Sequence, residues 1–179
     1  DPIRRFGDEY SFQEVAINNI KTLQEYQFEK ILTHCPHCLH TIGKEYNILL
    51  EDPSFAHAVT PCKFSVIPHT ILLQEIFNVL LAPPTYQSTY HSTGHYIYHD
   101  PCYLGRHHGD FDAARTVLRG LNLSTKEMTS NREQSLCCGM GGGNMWYELP
   151  EGEHLAHNRL KEIMDTRAKK VVTACPFCQ

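Results

Sequence analysis

The sequence predicts an α/β protein: two pseudo-repeated βαβ lobes, mainly parallel sheets, and a cofactor site at the carboxyl ends of the strands. Three observations carry this. Short β-rich runs alternate with helix-like stretches, which implies right-handed crossover connections. A stretch near the start of the chain recurs 140 residues later. Cys35, Cys102 and Cys175 each stand at or just past the end of a predicted strand, where ligands gather in parallel sheets.

The elements follow in order. Ser11-x-x-Glu14 reads as a capping box opening a helix over 11–27, with Val15, Ile20 and Leu23 at helical spacing. Residues 30–34 read as a short strand. Pro36 suits a first helical position, which makes Cys35 the N-cap and places Cys38 in the first turn. Residues 39–46 continue as a helix. Residues 64–68 read as a strand and 69–81 as an apolar-rich helix. Residues 82–95, with Pro83-Pro84 and Gly94, read as a connector or an irregular hairpin. A strand over 96–100 breaks at Pro101 and leads to Cys102. A helix over 111–120, a strand over 124–128, a helix over 152–168 and a strand over 170–174 complete the chain.

The repeat organises these elements. Lys30-Ile31-Leu32-Thr33-His34-Cys35-Pro36-His37-Cys38 aligns with Lys170-Val171-Val172-Thr173-Ala174-Cys175-Pro176-Phe177-Cys178. Upstream, Ala16, Asn18 and Lys21 fall on Ala156, Asn158 and Lys161, and Phe6 falls on Trp146. The chain therefore divides into 1–81, the C-terminal part of a first repeat; 82–95, the connector; and 96–179, a second repeat. In this register the counterpart of Cys138 falls just upstream of Asp1, and only Gln179 follows Cys178. The expectation is a fragment of a longer protein, with the first repeat missing its cysteine pair and the second cut just after Cys178.

Composition narrows the function. Net charge is −4 over 179 residues and the basic side chains are scattered, which argues against nucleic acid as a partner. No apolar run approaches the ~18 residues of a membrane span, and no signal peptide opens the chain. Eight cysteines would suit a secreted disulfide framework. Against that, Cys137 and Cys138 are adjacent and so poor partners for each other, and four others form Cys-Pro-x-Cys pairs. Metal ligation in a reducing, cytoplasmic setting is the better reading.

The second repeat holds five thiols, spaced Cys102, 34 residues, Cys137-Cys138, 36 residues, Cys175-x-x-Cys178. A structural zinc takes four ligands, and so does a cubane [4Fe–4S] cluster. A fifth thiol is either spare or belongs to a cluster with bridging thiolates. Neighbouring cysteines on a tight turn can aim at two irons, which suits a large non-cubane cluster. Cys175 and Cys178 sit at a predicted helix start, where the dipole favours thiolate. Gly139, Gly141, Gly142 and Gly143 offer backbone N–H groups to cluster sulfides. The glycine run neither follows a clear long strand nor opens a long helix, so it is not a nucleotide loop.

With these residues in hand, the chain resembles the cysteine-rich CCG domain family. That family occurs in heterodisulfide reductase and in related iron–sulfur oxidoreductases, including iron–sulfur subunits of glycolate and lactate oxidation. The likeness is carried by His99-Asp100-Pro101-Cys102-Tyr103-Leu104-Gly105-Arg106, by Cys137-Cys138-Gly139-Met140-Gly141-Gly142-Gly143, and by Thr173-Ala174-Cys175-Pro176-Phe177-Cys178. It implies Rossmann-like lobes and a non-cubane [4Fe–4S] centre held by Cys102, Cys137, Cys138, Cys175 and Cys178. It also implies a ferredoxin-type iron–sulfur domain or a flavoprotein as electron donor, and a disulfide or other small redox acceptor. The larger relatives are often membrane-attached through segments absent from this chain.

Other residues are weighed against this frame. Cys35 and Cys38 are a half-site of a second centre whose remaining ligands would lie upstream. Cys62 has no repeat partner and reads as an ordinary thiol. His99, His107 and His108 flank Cys102 and are candidate proton donors. Phe6 and Trp146 read as core packing rather than as a shield for the cofactor. The opposing reading for the whole chain is a non-catalytic electron relay, or a structural zinc or scaffold module.

Overall fold

The computed structural model describes residues 2–80, 96–148, 150, 152 and 154–179. The predicted connector over 82–95 lies outside the described residues. Two parallel sheets carry the fold, one of order β1-β2 and one of order β4-β3-β5.

The chain opens with a short helix α1 (Pro2–Arg5) and then α2 (Glu9–Gln24). The cap of α2 differs from expectation. Asp8 is the N-cap, and its carboxylate accepts from the Ser11 N–H at 3.0 Å. An ionised acceptor three residues ahead takes the donor that a Ser11 cap would have left to the next turn. The buried face of α2 is Phe12, Ala16 and Ile20, spaced four apart, while Val15 is exposed. This face packs on Tyr46, Leu49, Leu50, Val59 and Phe64 to form the first core.

Strand β1 (Ile31–Thr33) leads through Cys35 into α3 (Pro36–His40), with Cys35 as N-cap and Pro36 at the first position as predicted. The helix runs on through a π-helical turn, Thr41–Tyr46, into α4 (Asn47–Glu51). Asn47 ties this helix to the strand that follows. Its amide donates to Gly43 O and Phe64 O at 2.8 and 3.0 Å and accepts from Phe64 N–H at 2.9 Å. Strand β2 (Val66–Pro68) pairs in parallel with β1, and α5 (His69–Leu80) follows.

The second sheet centres on β3 (Tyr96–His99), all four residues buried, as a strand covered on both faces requires. A helix that the sequence did not announce, α6 (Cys102–His108), begins directly after Pro101 and ends on Gly109 at φ +72°. Next come α7 (Ala113–Gly120), which packs on α5, and β4 (Thr125–Lys126). The predicted helix over 152–168 is shorter, α8 (Leu155–Asp165), and precedes β5 (Lys170–Thr173). Both β4 and β5 lie parallel to β3. A second core of Leu39, Tyr98, Leu104, Leu118 and Ala174 joins the two halves, since Leu39 belongs to α3 and the rest to the second sheet and its helices.

Candidate metal centre

Strand ends deliver the thiols to one place. β3 stops at His99, and Asp100-Pro101 turn the chain into α6, whose first residue is Cys102. β5 stops at Thr173, and Cys175 is the N-cap of a single 3₁₀ turn, Pro176–Cys178. The Cys137-Cys138 pair arrives on the loop between them.

The five second-repeat thiols interact as one patch. Cys138 and Cys178 share a hydrogen bond with sulfurs 3.2 Å apart, and Cys102, Cys137 and Cys175 each have their acidity shifted by a neighbouring thiol of the set. Negative charge gathers at two points in this patch. Cys137 is pulled far below the ordinary thiol range by Cys102 and Cys138, and Gly139 N–H adds a bond to its sulfur at 3.3 Å. Cys175 is pulled down to about 5 by Cys178 and by His37. Cys102 and Cys178 shift the opposite way, pushed up by their thiol neighbours and by burial.

The half-site is close by. Neighbouring Cys38 lowers Cys35 to about 6, and Cys35 feels the charge of Cys175 across the junction of the two halves. Between them lies His37, which donates to Cys175 and is sandwiched between Tyr103, stacked at 3.9 Å, and Phe177 at 4.7 Å. Thus a side chain of the first Cys-Pro-x-Cys pair reaches a thiol of the second. Sequence reasoning passed over His37; the signal available was that its repeat counterpart is Phe177, so the histidine is the odd member of an otherwise matched motif.

The glycines have a larger packing role than predicted. A Cβ on Gly141 would meet His37 Cε1 at 3.0 Å, and one on Gly143 would meet Phe6 Cζ at 2.1 Å, with φ at +92° besides. Gly141 and Gly143 thereby let the cysteine loop close onto the first half of the chain, while Gly139 lies against Leu155 and Ala156 at the start of α8. Phe6 in turn makes an edge contact with Tyr147. Phe6 and Trp146 are not core residues: they are 49 % and 61 % exposed. Cys62 is exposed and bonded to Gln24, apart from the other thiols.

His99 is 3 % exposed, and one of its ring nitrogens lies within 4.8 Å of both Cys138 Sγ and Cys178 Sγ. Arg159, 2 % exposed on α8, donates from Nε to His99 Nδ1 at 2.9 Å, while His99 Nε2 is buried without a hydrogen-bond partner among the described residues. Burial, with the nearby Arg159 charge, holds His99 down to about 4, so it is neutral. His107 and His108 do not join it; they gather with His40 farther along α6.

A buried framework holds the Cys102 turn against the cysteine loop. Arg115 makes a two-pronged bond to Asp100 at 2.6 and 2.9 Å and another to Glu127 at 2.6 and 2.7 Å. Asp100 accepts from Arg132 N–H at 2.9 Å, and Ser135 Oγ donates to Asp100 O at 3.1 Å. Arg106 bonds the carbonyls of Glu133 and Ser135. Beside Cys175 lies a groove of about 370 Å³, lined by His34, His69, Thr173 and Cys175 among others.

This donor set fits a sulfur-bound metal group. It offers five thiols in one connected patch, N–H donors at two of them, and an unpartnered buried imidazole nitrogen. Among the described residues no helix is long and apolar enough to cross a membrane.

Comparison with known proteins agrees. The chain is 36 % identical over 181 residues to a probable membrane-anchored ferredoxin of Chromohalobacter salexigens, covering 99 % of this chain and 25 % of that protein. It is 33 % identical over 180 residues to the probable iron-sulfur-binding oxidoreductase FadF of Bacillus subtilis, covering 99 % and 23 %. It is 30 % identical over 169 residues to one of the subunits of the dihydromethanophenazine:CoB–CoM heterodisulfide reductase of Methanosarcina barkeri, covering 93 % and 38 %. The chain thus spans about a quarter of the first two relatives and somewhat more of the third. The cysteine-rich domain profile named CCG matches residues 1–43 and 96–179. With its cysteine motifs and its α/β fold, the chain belongs to the CCG cysteine-rich domain family.

Proposed function

We propose that this chain is the electron-transfer domain of an iron–sulfur oxidoreductase, with a non-cubane [4Fe–4S]-type centre held by Cys102, Cys137, Cys138, Cys175 and Cys178. The observation that carries this reading is the gathering of all five thiols into one interacting patch, with Cys138 and Cys178 hydrogen-bonded at its centre. A tetrahedral zinc site would use four and leave the fifth idle. The bound cluster would supply one-electron redox chemistry. The residues around it hold the charge: Gly139 N–H at Cys137 and His37 at Cys175 are donors already in place.

Electrons would come from a ferredoxin-type iron–sulfur domain or a flavoprotein and pass to a disulfide or other small redox acceptor. In the disulfide case two electrons and two protons turn one S–S bond into two thiols. The groove beside Cys175 is the approach open to such an acceptor. The lobes would be repeats, 1–81 and 96–179 joined by 82–95. Matching elements support this: β1 and β5, Cys35 and Cys175 as N-caps, and Pro36 and Pro176 after them, all at the 140-residue offset.

Anaerobically prepared protein is expected to be brown, with iron and acid-labile sulfide. Colourless protein with stoichiometric zinc would overturn the cluster reading. Full-length protein given an artificial electron donor should reduce a disulfide; retained iron with no such turnover would leave a relay to another centre instead.

A further inference from the structure

His99 ends the central strand β3 and stands beside Cys138 and Cys178, so its protonation pattern decides what it offers them. The pattern follows from Arg159. A guanidinium has only donors and stays charged. This one is fixed at every edge: Nη1 donates to Ser130 O at 2.8 Å and Glu162 Oε2 at 2.6 Å, Nη2 to Ser135 Oγ at 3.1 Å, and Nε to His99 Nδ1 at 2.9 Å. His99 Nδ1 must therefore be the acceptor nitrogen, and the proton of the neutral ring sits on Nε2.

Two consequences follow. A metal-binding imidazole needs a nitrogen with a free lone pair, and the lone pair here is taken by Arg159. Hence His99, Cys138 and Cys178 are not a metal triad, although their ligand atoms lie within 4.8 Å of one another. Moreover, Nε2–H is a buried donor with no partner among the described residues, an arrangement that costs free energy unless something accepts from it. Cys138 Sγ and Cys178 Sγ stand beside the ring, and sulfur bound to iron is a better acceptor than a thiol. Resting on the iron–sulfur reading above, we propose that His99 is a positioning residue whose Nε2–H, locked by Arg159, donates to sulfur at the Cys138–Cys178 edge and raises the reduction potential of the centre.

The direction follows from charge: a donor to sulfur favours the more negative, reduced state. The test uses anaerobic full-length protein and four forms: wild type, His99→Phe, His99→Gln and Arg159→Leu. Iron and sulfide content should be unchanged. The midpoint potential, from a titration followed by electron paramagnetic resonance, should move negative in His99→Phe. His99→Gln, which keeps an N–H at similar reach, should recover part of it. Arg159→Leu, which frees the ring, should fall below wild type. Equal potentials in all four forms would overturn the proposal. Iron lost from both His99 variants alike would also overturn it, by making His99 a ligand. Should His99→Phe alone lose iron, the order of the other three potentials decides in the same terms. A second readout needs no iron. Nitrogen-15 shifts of His99 in metal-free, reduced protein should show a protonated Nε2, with a tautomer mixture in Arg159→Leu; a protonated Nδ1 in wild type would refute the lock. Wild type without iron would defeat the reading on which this rests, whereas iron with unmoved potentials defeats only the donor role.

Discussion

Asp100→Ala tests the framework that holds the centre. Asp100 is 3 % exposed and Arg115 6 %, and they share a two-pronged ion pair. Removing one partner of such a pair leaves the other charge buried, which costs about 3–5 kcal/mol. Here Glu127 still holds the other edge of the guanidinium, and its side chain is 43 % exposed, so the low end, about 3 kcal/mol, applies. The same change frees the Arg132 N–H, which Asp100 accepts while Arg132 is held at φ +53°, a conformation unfavourable to a side chain. For a protein of this size the loss corresponds to a Tm lower by about 6–12 °C. The assay is urea and thermal unfolding of metal-free, reduced protein, with Arg115→Met and the double variant to complete a cycle. The double variant should recover much of the loss, because no uncompensated buried charge remains: Glu127, which loses Arg115, is 43 % exposed. A loss under about 1 kcal/mol, or single effects that add within about 0.5 kcal/mol, would refute the framework argument.

Three further outcomes are expected. Cys175→Ser should strip most of the iron from anaerobic protein while Cys62→Ser, at an exposed thiol that accepts from Gln24, should leave iron content unchanged; equal loss in both would count against the ligand assignment. Gly143→Ala forces a side chain into φ +92° and onto the Phe6 ring, so stability should fall by about 1–2 kcal/mol, and Phe6→Ala should relieve only the steric part. His108, half-buried beside Lys44, His40 and His107, is lowered by burial from 6.5 to about 4, so the unfolded chain takes its proton first. Its contribution is then intact above pH 6.5 and is lost as pH falls from 6.5 to about 4. After allowance for its exposure this is about 1 kcal/mol, and a His108→Gln curve that runs parallel to wild type over that interval would contradict it.

Much of the centre was legible because it is written in short local motifs. Pro36 after Cys35 specified the N-cap, and a strand followed by Pro101 placed Cys102 at a strand end. What escaped notice depends on distant partners. Arg159 looks like a surface residue of α8, and nothing near it in sequence reveals that it meets His99, 60 residues earlier, and Ser135. His37 had the same character. Trp146 was misjudged for the opposite reason: an aromatic at a repeat-matched position suggests a core, yet the loop that carries it faces solvent. The start of α6 was hidden by Cys102 and Tyr103, which have no helix-opening character, although Gly109 marked its end.

The arrangement of protons explains why this patch is poised for metal. Five thiolates side by side would repel strongly, so the thiols shift one another apart: Cys137 and Cys175 are lowered while Cys102 and Cys178 are raised. Cys102 and Cys178 keep their protons in the metal-free chain, and those protons must leave as metal enters. The donors that would remain do not titrate away with them: Gly139 N–H is backbone, and His99 Nε2–H is fixed from behind by Arg159. His37 adds a donor from the other half of the chain. Gly141 lies against the same His37 ring, so close that an added Cβ would stand 3.0 Å from its Cε1. A side chain at position 141 would therefore disturb Cys175 through His37, although residue 141 itself bears no ligand.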